Sequence, residues 1–286
     1  MRLVWLPLGL VGAAIAATYA RVPVERLYHV EVGGVAGGLG RAVVFLNWPC
    51  AFVALGVLPL AAARLGLHGR ALAALAAILC AAAAWPGVVD EHDLDAKWSN
   101  APAAAGVGLA VALALAASRW DRLPRRGALL VGLALFVLAL PWVVADLGIA
   151  TRLPVFLTDQ LRTQPGDPVP HPAVHLGHHH GMDGTLLAIC ALLLLAEVRA
   201  TPPGPLRALA AGWVSLLFAW GLGNVANDAW LEQVVKRGWT TWQVPDATRP
   251  HASWLWAAIL LVAAASAWSI RDRTGRRHPR RAGAPA

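Results

Sequence analysis

The chain has 286 residues, of which 58% are hydrophobic and 14% charged, with a mean hydropathy of +0.56 and a formal net charge of +8. That balance is too apolar for a soluble domain of this size and excludes a charge-rich disordered chain. It points to an all-α, multi-pass bundle in a bilayer, because hydrocarbon forces backbone groups to pair internally and no apolar run alternates like a barrel strand.

A helix rises 1.5 Å per residue, so about 20 apolar residues cross the roughly 30 Å hydrocarbon layer. Eight runs approach that length, at 3–20, 42–63, 71–85, 101–118, 128–145, 184–198, 206–223 and 254–270. The third and sixth are short and are expected to borrow flanking residues. The first, with Arg2 before it and Ala16, Ala17 and Ala20 at its end, also has the form of a secretory signal peptide. Retained or cleaved, it delivers Arg21 to the same side. Residues 1–270 therefore read as one transmembrane domain, and 271–286 as a basic cytoplasmic tail expected to be disordered.

Charge orients the bundle, since short cytoplasmic loops retain Lys and Arg. With the amino terminus inside, the cytoplasmic segments hold fifteen cations against Asp121, Glu197 and Asp272, and the opposite face nine cations against thirteen acids. Both termini are thus expected in the cytoplasm of a plasma-membrane protein. The same split accounts for the basic tail RDRTGRRHPRR as an anchor at anionic headgroups. Membrane lipids are the expected partners and nucleic acid is not, because no aromatic platform accompanies the basic run; nothing names a protein partner. Cys50, Cys80 and Cys190 lie inside apolar runs, so no disulfide framework is expected.

Eight of the ten histidines fall on the outer side, and three constellations there could carry chemistry. After the third run come Asp90, Glu91, His92, Asp93 and Asp95, either a solvated turn or a cation site. Before the sixth run, residues 171–183 read HPAVHLGHHHGMD. On a helix His175, His178 and His179 would share one face and offer three imidazoles with an open fourth position, the arrangement of catalytic zinc. His180, Asp183 or His171 would supply a further ligand or fix a tautomer. Pro170, Pro172 and Gly177 weaken that helix and leave a mobile histidine-rich loop as the other reading. At the end of the seventh run Asn224, Asp228 and Glu232 are spaced by four and form a polar stripe on a continuing helix.

His175-x-x-His178-His179 resembles the HxxHH box of membrane desaturases and hydroxylases, which bind two irons through several histidine boxes. The resemblance covers five residues, and the further boxes of those families are missing, so their function is not carried over. His179-x-x-x-Asp183 is similar to fragments of seven-helix zinc hydrolases such as alkaline ceramidases, without the rest of their pattern. Zincin, dinucleotide, phosphate-loop and nucleophile-elbow motifs are absent.

The leading expectation is a metal-dependent hydrolase of a lipid or lipid-linked substrate. His175, His178, His179, His180, His92 and Asp90 are its candidate ligands. Glu232, Asp228 and Asp183 are its catalytic carboxylates, and Lys236, Arg237, Trp239 and Trp242 its substrate contacts. A mixed nitrogen and oxygen donor set suits a divalent metal, zinc before iron, manganese or copper. The alternatives are a transporter or metal-handling protein with Asp90, Asp146 and Asp228 along its path, and a structural or assembly subunit. An echo between 85–90 (WPGVVD) and 141–146 (PWVVAD) keeps repeated hairpins, and so transport, in view.

Overall fold

A computed structural model describes residues 1–90, 92–117, 122–151, 153, 161–164 and 167–275. The apolar runs fold as helices: α1 (Trp5–Arg21), α2 (Gly34–Phe45), α3 (Ala51–Ala62), α4 (Leu67–Ala81), α5 (Ala101–Ala117), α6 (Arg126–Leu138), α7 (Leu140–Asp146), α8 (His180–Ala200), α9 (Pro205–Trp230) and α10 (Trp254–Gly275). One antiparallel hairpin, β1 (Leu161–Gln164) with β2 (Asp167–Pro172), interrupts the long connection before α8. Helix continues through Gly275, past the expected start of the tail at 271, and residues 276–286 lie outside the described residues.

Seven helical stretches are long and apolar enough to cross a membrane. The second joins α2 to α3 across a kink at Leu46–Cys50, where Trp48 leaves helical geometry (φ −150°, ψ 117°) and Asn47 Nδ2 donates to the carbonyls of Val43 and Asn100. The run at 128–145 is not one straight helix, because α6 and α7 meet at 61°. Pro141 lies in the first turn of α7, and a proline there supplies no N–H to an α6 continuing in line.

Burial sorts the helices. In the stretch Gly34–Ala62, 78% of the most apolar window is buried, against 17% in Trp254–Arg271, so α3 is the axis and α10 a peripheral helix. Helices α4, α5, α8 and α9 surround α3, α1 packs on α2, and α10 packs on α9. The outward faces expose large apolar side chains, among them Leu10, Leu75, Ile78, Leu130, Leu133 and Leu261. So much exposed hydrocarbon around a bundle suits lipid and not water.

The tightest helix pair is α8 with α9. A Cβ at Gly184 would lie 2.6 Å from Asn224 Cβ and from the Gly221 carbonyl, and one at Gly221 would lie 2.5 Å from the Gly184 carbonyl. Without a hydrophobic drive between helices in lipid, such small-residue contacts let backbones approach and gain dispersion energy. At one end of this pair Glu197 is buried and accepts from the Met1 amino group (3.0 Å), Arg64 (2.5 Å) and the Arg122 backbone N–H (3.2 Å). At the other end the start of α8 meets the finish of α9. The three cysteines are buried and unbridged.

Candidate metal centre

The histidine segment does not form a helix. Residues 173–179 are irregular, and α8 begins at His180 with His179 as an extended cap (φ −123°, ψ 149°). Gly177 takes φ +104°, where a side chain would be strained and where a Cβ would lie 2.5 Å from the Tyr19 hydroxyl. The expected face of His175, His178 and His179 therefore breaks up, and each ring goes to a different partner.

His178 is buried between two carboxylates. Its Nδ1 is 2.9 Å from Asp146 Oδ1 and its Nε2 2.7 Å from Asp183 Oδ1, while its backbone N–H donates to Tyr19 Oη at 3.1 Å. Burial alone lowers the affinity of this ring for a proton, but Asp183 and then Asp146 outweigh it and raise the pKa to about 10. His178 is thus an imidazolium near neutrality, with both N–H groups donating. Both ring nitrogens face carboxylates, so in this arrangement His178 ties α7 to α8 and stands apart from the His179, Asp228 and Glu232 group. Asp183, expected to orient a ligand or move protons, is the acceptor of that tie, and its other oxygen is 3.7 Å from His180 Nδ1.

His179 is the imidazole that meets acids from α9. Its Nε2 is 3.0 Å from the His175 carbonyl and its Nδ1 2.7 Å from Glu232 Oε1. A carbonyl only accepts, so Nε2 carries the hydrogen and Nδ1 of the neutral ring faces the carboxylate with a lone pair. Two lone pairs at that distance require a cation between them, either a proton or a metal ion. For the proton, burial lowers the affinity of the ring, but Glu232 and then Asp228 hold it above its ordinary value. For a metal, a third donor is at hand: ligand atoms of His179, Asp228 and Glu232 all lie within 4.8 Å of one another. Donors about 2.1 Å from one ion are at most about 4.2 Å apart, so a small side-chain adjustment closes the set.

The supports of these donors are fixed. Asp228 Oδ2 accepts the Gly181 N–H at 2.6 Å, and Glu232 Oε2 accepts Trp142 Nε1–H at 2.7 Å. Trp142 comes from α7 and lies so close over Gly181 that no Cβ would fit there. Glu232 sits in a π-helical turn, Leu231–Val235, that continues α9. Such turns recur at functional sites, because one extra residue re-aims a side chain.

These groups line a cavity of about 460 Å³ that His92, His175, His180 and Lys236 also line. His175 stacks on His179 (4.0 Å between ring centroids) and on Tyr28 (4.6 Å), with its own Nδ1 3.0 Å from the Leu176 carbonyl. His92 is at the exposed rim, stacked on His29 at 5.8 Å. Asp90 is absent from the lining. Its carboxyl accepts the His92 N–H and sits 3.6 Å from Lys97, which together hold it below its ordinary value, the backbone N–H first. Asp90 and Asp146 occupy like places in the echoed segments, yet Asp90 is half-buried and Asp146 fully buried. The side chain of His171, and Glu91, lie outside the described residues.

Of the expected substrate contacts, only Lys236 lines the cavity. Arg237 donates to Gln233 Oε1 at 2.7 Å, Trp239 is exposed, and Trp242 is stacked with Trp254 at 6.3 Å while its carbonyl accepts Trp230 Nε1–H. Protein-family models, curated proteins and solved structures offer no match to this chain. The features that sequence reasoning missed are Trp142 as a donor to Glu232, the Asp146 tie to His178, and Arg41, 6% exposed at the cavity wall. The last had a signal: an arginine at the very edge of an apolar run, where a charge near hydrocarbon needs a reason.

Proposed function

We propose that the chain is a multi-pass membrane metalloenzyme, a hydrolase of a lipid or lipid-linked substrate, with its site on the extracytoplasmic side of the plasma membrane and both termini inside. The observation that carries this reading is the 2.7 Å approach of His179 Nδ1 to Glu232 Oε1, with Nε2–H committed to a carbonyl and Asp228 beside them. A carbonyl that holds one ring nitrogen protonated, so that the other turns its lone pair to a metal, is the usual second shell of a histidine ligand. One nitrogen and two carboxylates suit zinc, with manganese or iron next.

Bound there, a divalent ion would acidify a coordinated water and polarise a substrate oxygen. The rest falls to the chain. Trp142 and the Gly181 N–H orient the two carboxylates, and the His178 tie to Asp146 and Asp183 holds the histidine segment against α7 and α8. His180, on the cavity wall beside Asp183, is placed to carry a proton to or from a substrate. The charge asymmetry of the loops supports the outward orientation, and the tryptophans at 230, 242 and 254 support a mouth near headgroup level.

Metal analysis of detergent-purified protein tests the reading. Wild type is expected to hold one divalent ion. H179A and E232Q are expected to lose it, and H175A to keep it, because His175 contributes through its backbone carbonyl. No stoichiometric metal in the wild type sinks the proposal, and a retained metal with ion flux in vesicles but no lipid turnover favours the transport reading instead.

A further inference from the structure

Arg41, on α2, is 6% exposed and lines the same cavity. Its Nε is buried without an acceptor, and it makes no ion pair among the described residues. The one contact that meets its charge is the Tyr19 ring, 5.6 Å from the guanidinium carbon. A guanidinium stays protonated in any protein environment, and a buried cation without an anion is costly to keep.

The carboxylates of the cavity are otherwise engaged. Asp183 is taken by His178, the oxygens of Asp246 accept from the Thr248 N–H (2.8 Å) and hydroxyl (2.7 Å), and Asp228 and Glu232 belong with His179. Lys236 lines the wall from the end of α9 and likewise makes no ion pair among the described residues. Arg41 and Lys236 therefore line the same cavity as the candidate metal-binding trio, and neither is held in an ion pair among the described residues.

We propose that Arg41 is the anion-binding residue of this cavity and that the substrate is a phosphate ester, its phosphoryl group held between Arg41, Lys236 and an ion on His179, Asp228 and Glu232. The proposal rests on the metalloenzyme reading and adds the substrate class to it. A carboxylate has two oxygens, which a single guanidinium spans. Three separate cationic groups around one space match the several oxygens of a tetrahedral phosphoryl group. A cavity of about 460 Å³ holds such a headgroup and leaves acyl chains outside, in the lipid that meets the exposed apolar faces. The phosphate could belong to a lipid or to a soluble ester, and the chemistry that recognises it is the same.

The test is calorimetric titration of the zinc-loaded full chain in maltoside micelles with inorganic phosphate and, separately, with dioctanoyl phosphatidic acid. Wild type is expected to bind both. R41Q is expected to keep its zinc and weaken phosphate at least tenfold, and R41K to recover part of the affinity, because it returns the charge without the two-pronged donor. Tighter binding of the phosphatidic acid than of phosphate assigns the site to a lipid; equal binding assigns it to a soluble ester. R41Q that holds zinc and binds phosphate as wild type does overturns the proposal, as does a wild type that binds neither probe. Should wild type hold no zinc yet bind phosphate in an Arg41-dependent way, the anion site stands and the metal reading falls. If R41Q does not fold, R41K carries the comparison, with several-fold weaker binding expected and unchanged binding overturning the idea.

Discussion

Replacing Gly184 by alanine tests whether the metal centre depends on how closely α8 and α9 pack. The new Cβ would lie 2.6 Å from Asn224 Cβ and from the Gly221 carbonyl, and 2.9 Å from the Val225 N. Ordinary contacts begin near 3.4 Å, so the helices must part by about 0.8 Å at this level. The Gly181 N–H bond to Asp228 lies one turn nearer the site, at 2.6 Å. The same displacement there takes it to about 3.4 Å, beyond a good hydrogen bond. Overpacking of this kind costs about 1–3 kcal/mol, and a ligand that loses its support weakens metal affinity by about 10–100-fold. Unfolding in mixed micelles gives the first quantity and competition with a metal indicator the second. Gly212, exposed on α9 with nothing within 4 Å of a Cβ, is the control, and G212A should change neither. A G184A protein that binds metal with wild-type affinity would refute the link between helix approach and ligand placement.

Other perturbations report on the supports. W142F keeps the ring over Gly181 but leaves Glu232 Oε2 buried without its donor; the expected loss is about 1–3 kcal/mol of stability, measured by thermal unfolding, with a weaker metal affinity. The His178 tie has a pH signature. Its folded pKa, about 10, stands above the ordinary imidazole value near 6.5, so its contribution is complete below about 6.5 and is lost as pH rises through 10. Alkaline unfolding between those limits should flatten in H178Q, and an unchanged alkaline limb in that variant would show that the ring is not the titrating group.

Much of the architecture is written in composition, because a span needs only length and apolarity. The bend between α6 and α7 is also legible afterwards in Pro141, which periodicity alone passes over. The metal centre was half legible. Asp228 and Glu232 emerged from their spacing because α9 is helical there. The shared helical face of the histidine trio does not form: Pro170, Pro172 and Gly177, the residues that weaken a helix there, mark an irregular segment in which Gly177 turns at φ +104° and neighbouring rings point in different directions. His178 and His179 are adjacent, yet one is a buried cation and the other faces the acids of α9; that difference is made by Asp146 and Glu232, distant in sequence. Trp142 and Arg41 owe their roles to tertiary packing alone, and an arginine at the edge of a run reads first as a topological flank.

All three candidate donors belong to one stretch of chain, from the residue capping α8 to the last turn continuing α9, joined by the short Thr201–Gly204 turn at the far end. In order of biosynthesis, then, the ligand set is complete before α10 is made, and it needs only two consecutive spans to insert as a pair. Glycine-to-backbone packing lets that pair close without waiting for other partners. The earlier helices contribute Trp142, Asp146, Tyr19 and Arg41, which steady the site and line its wall. A metal ion bound by this trio would thus draw its protein ligands from two consecutive spans.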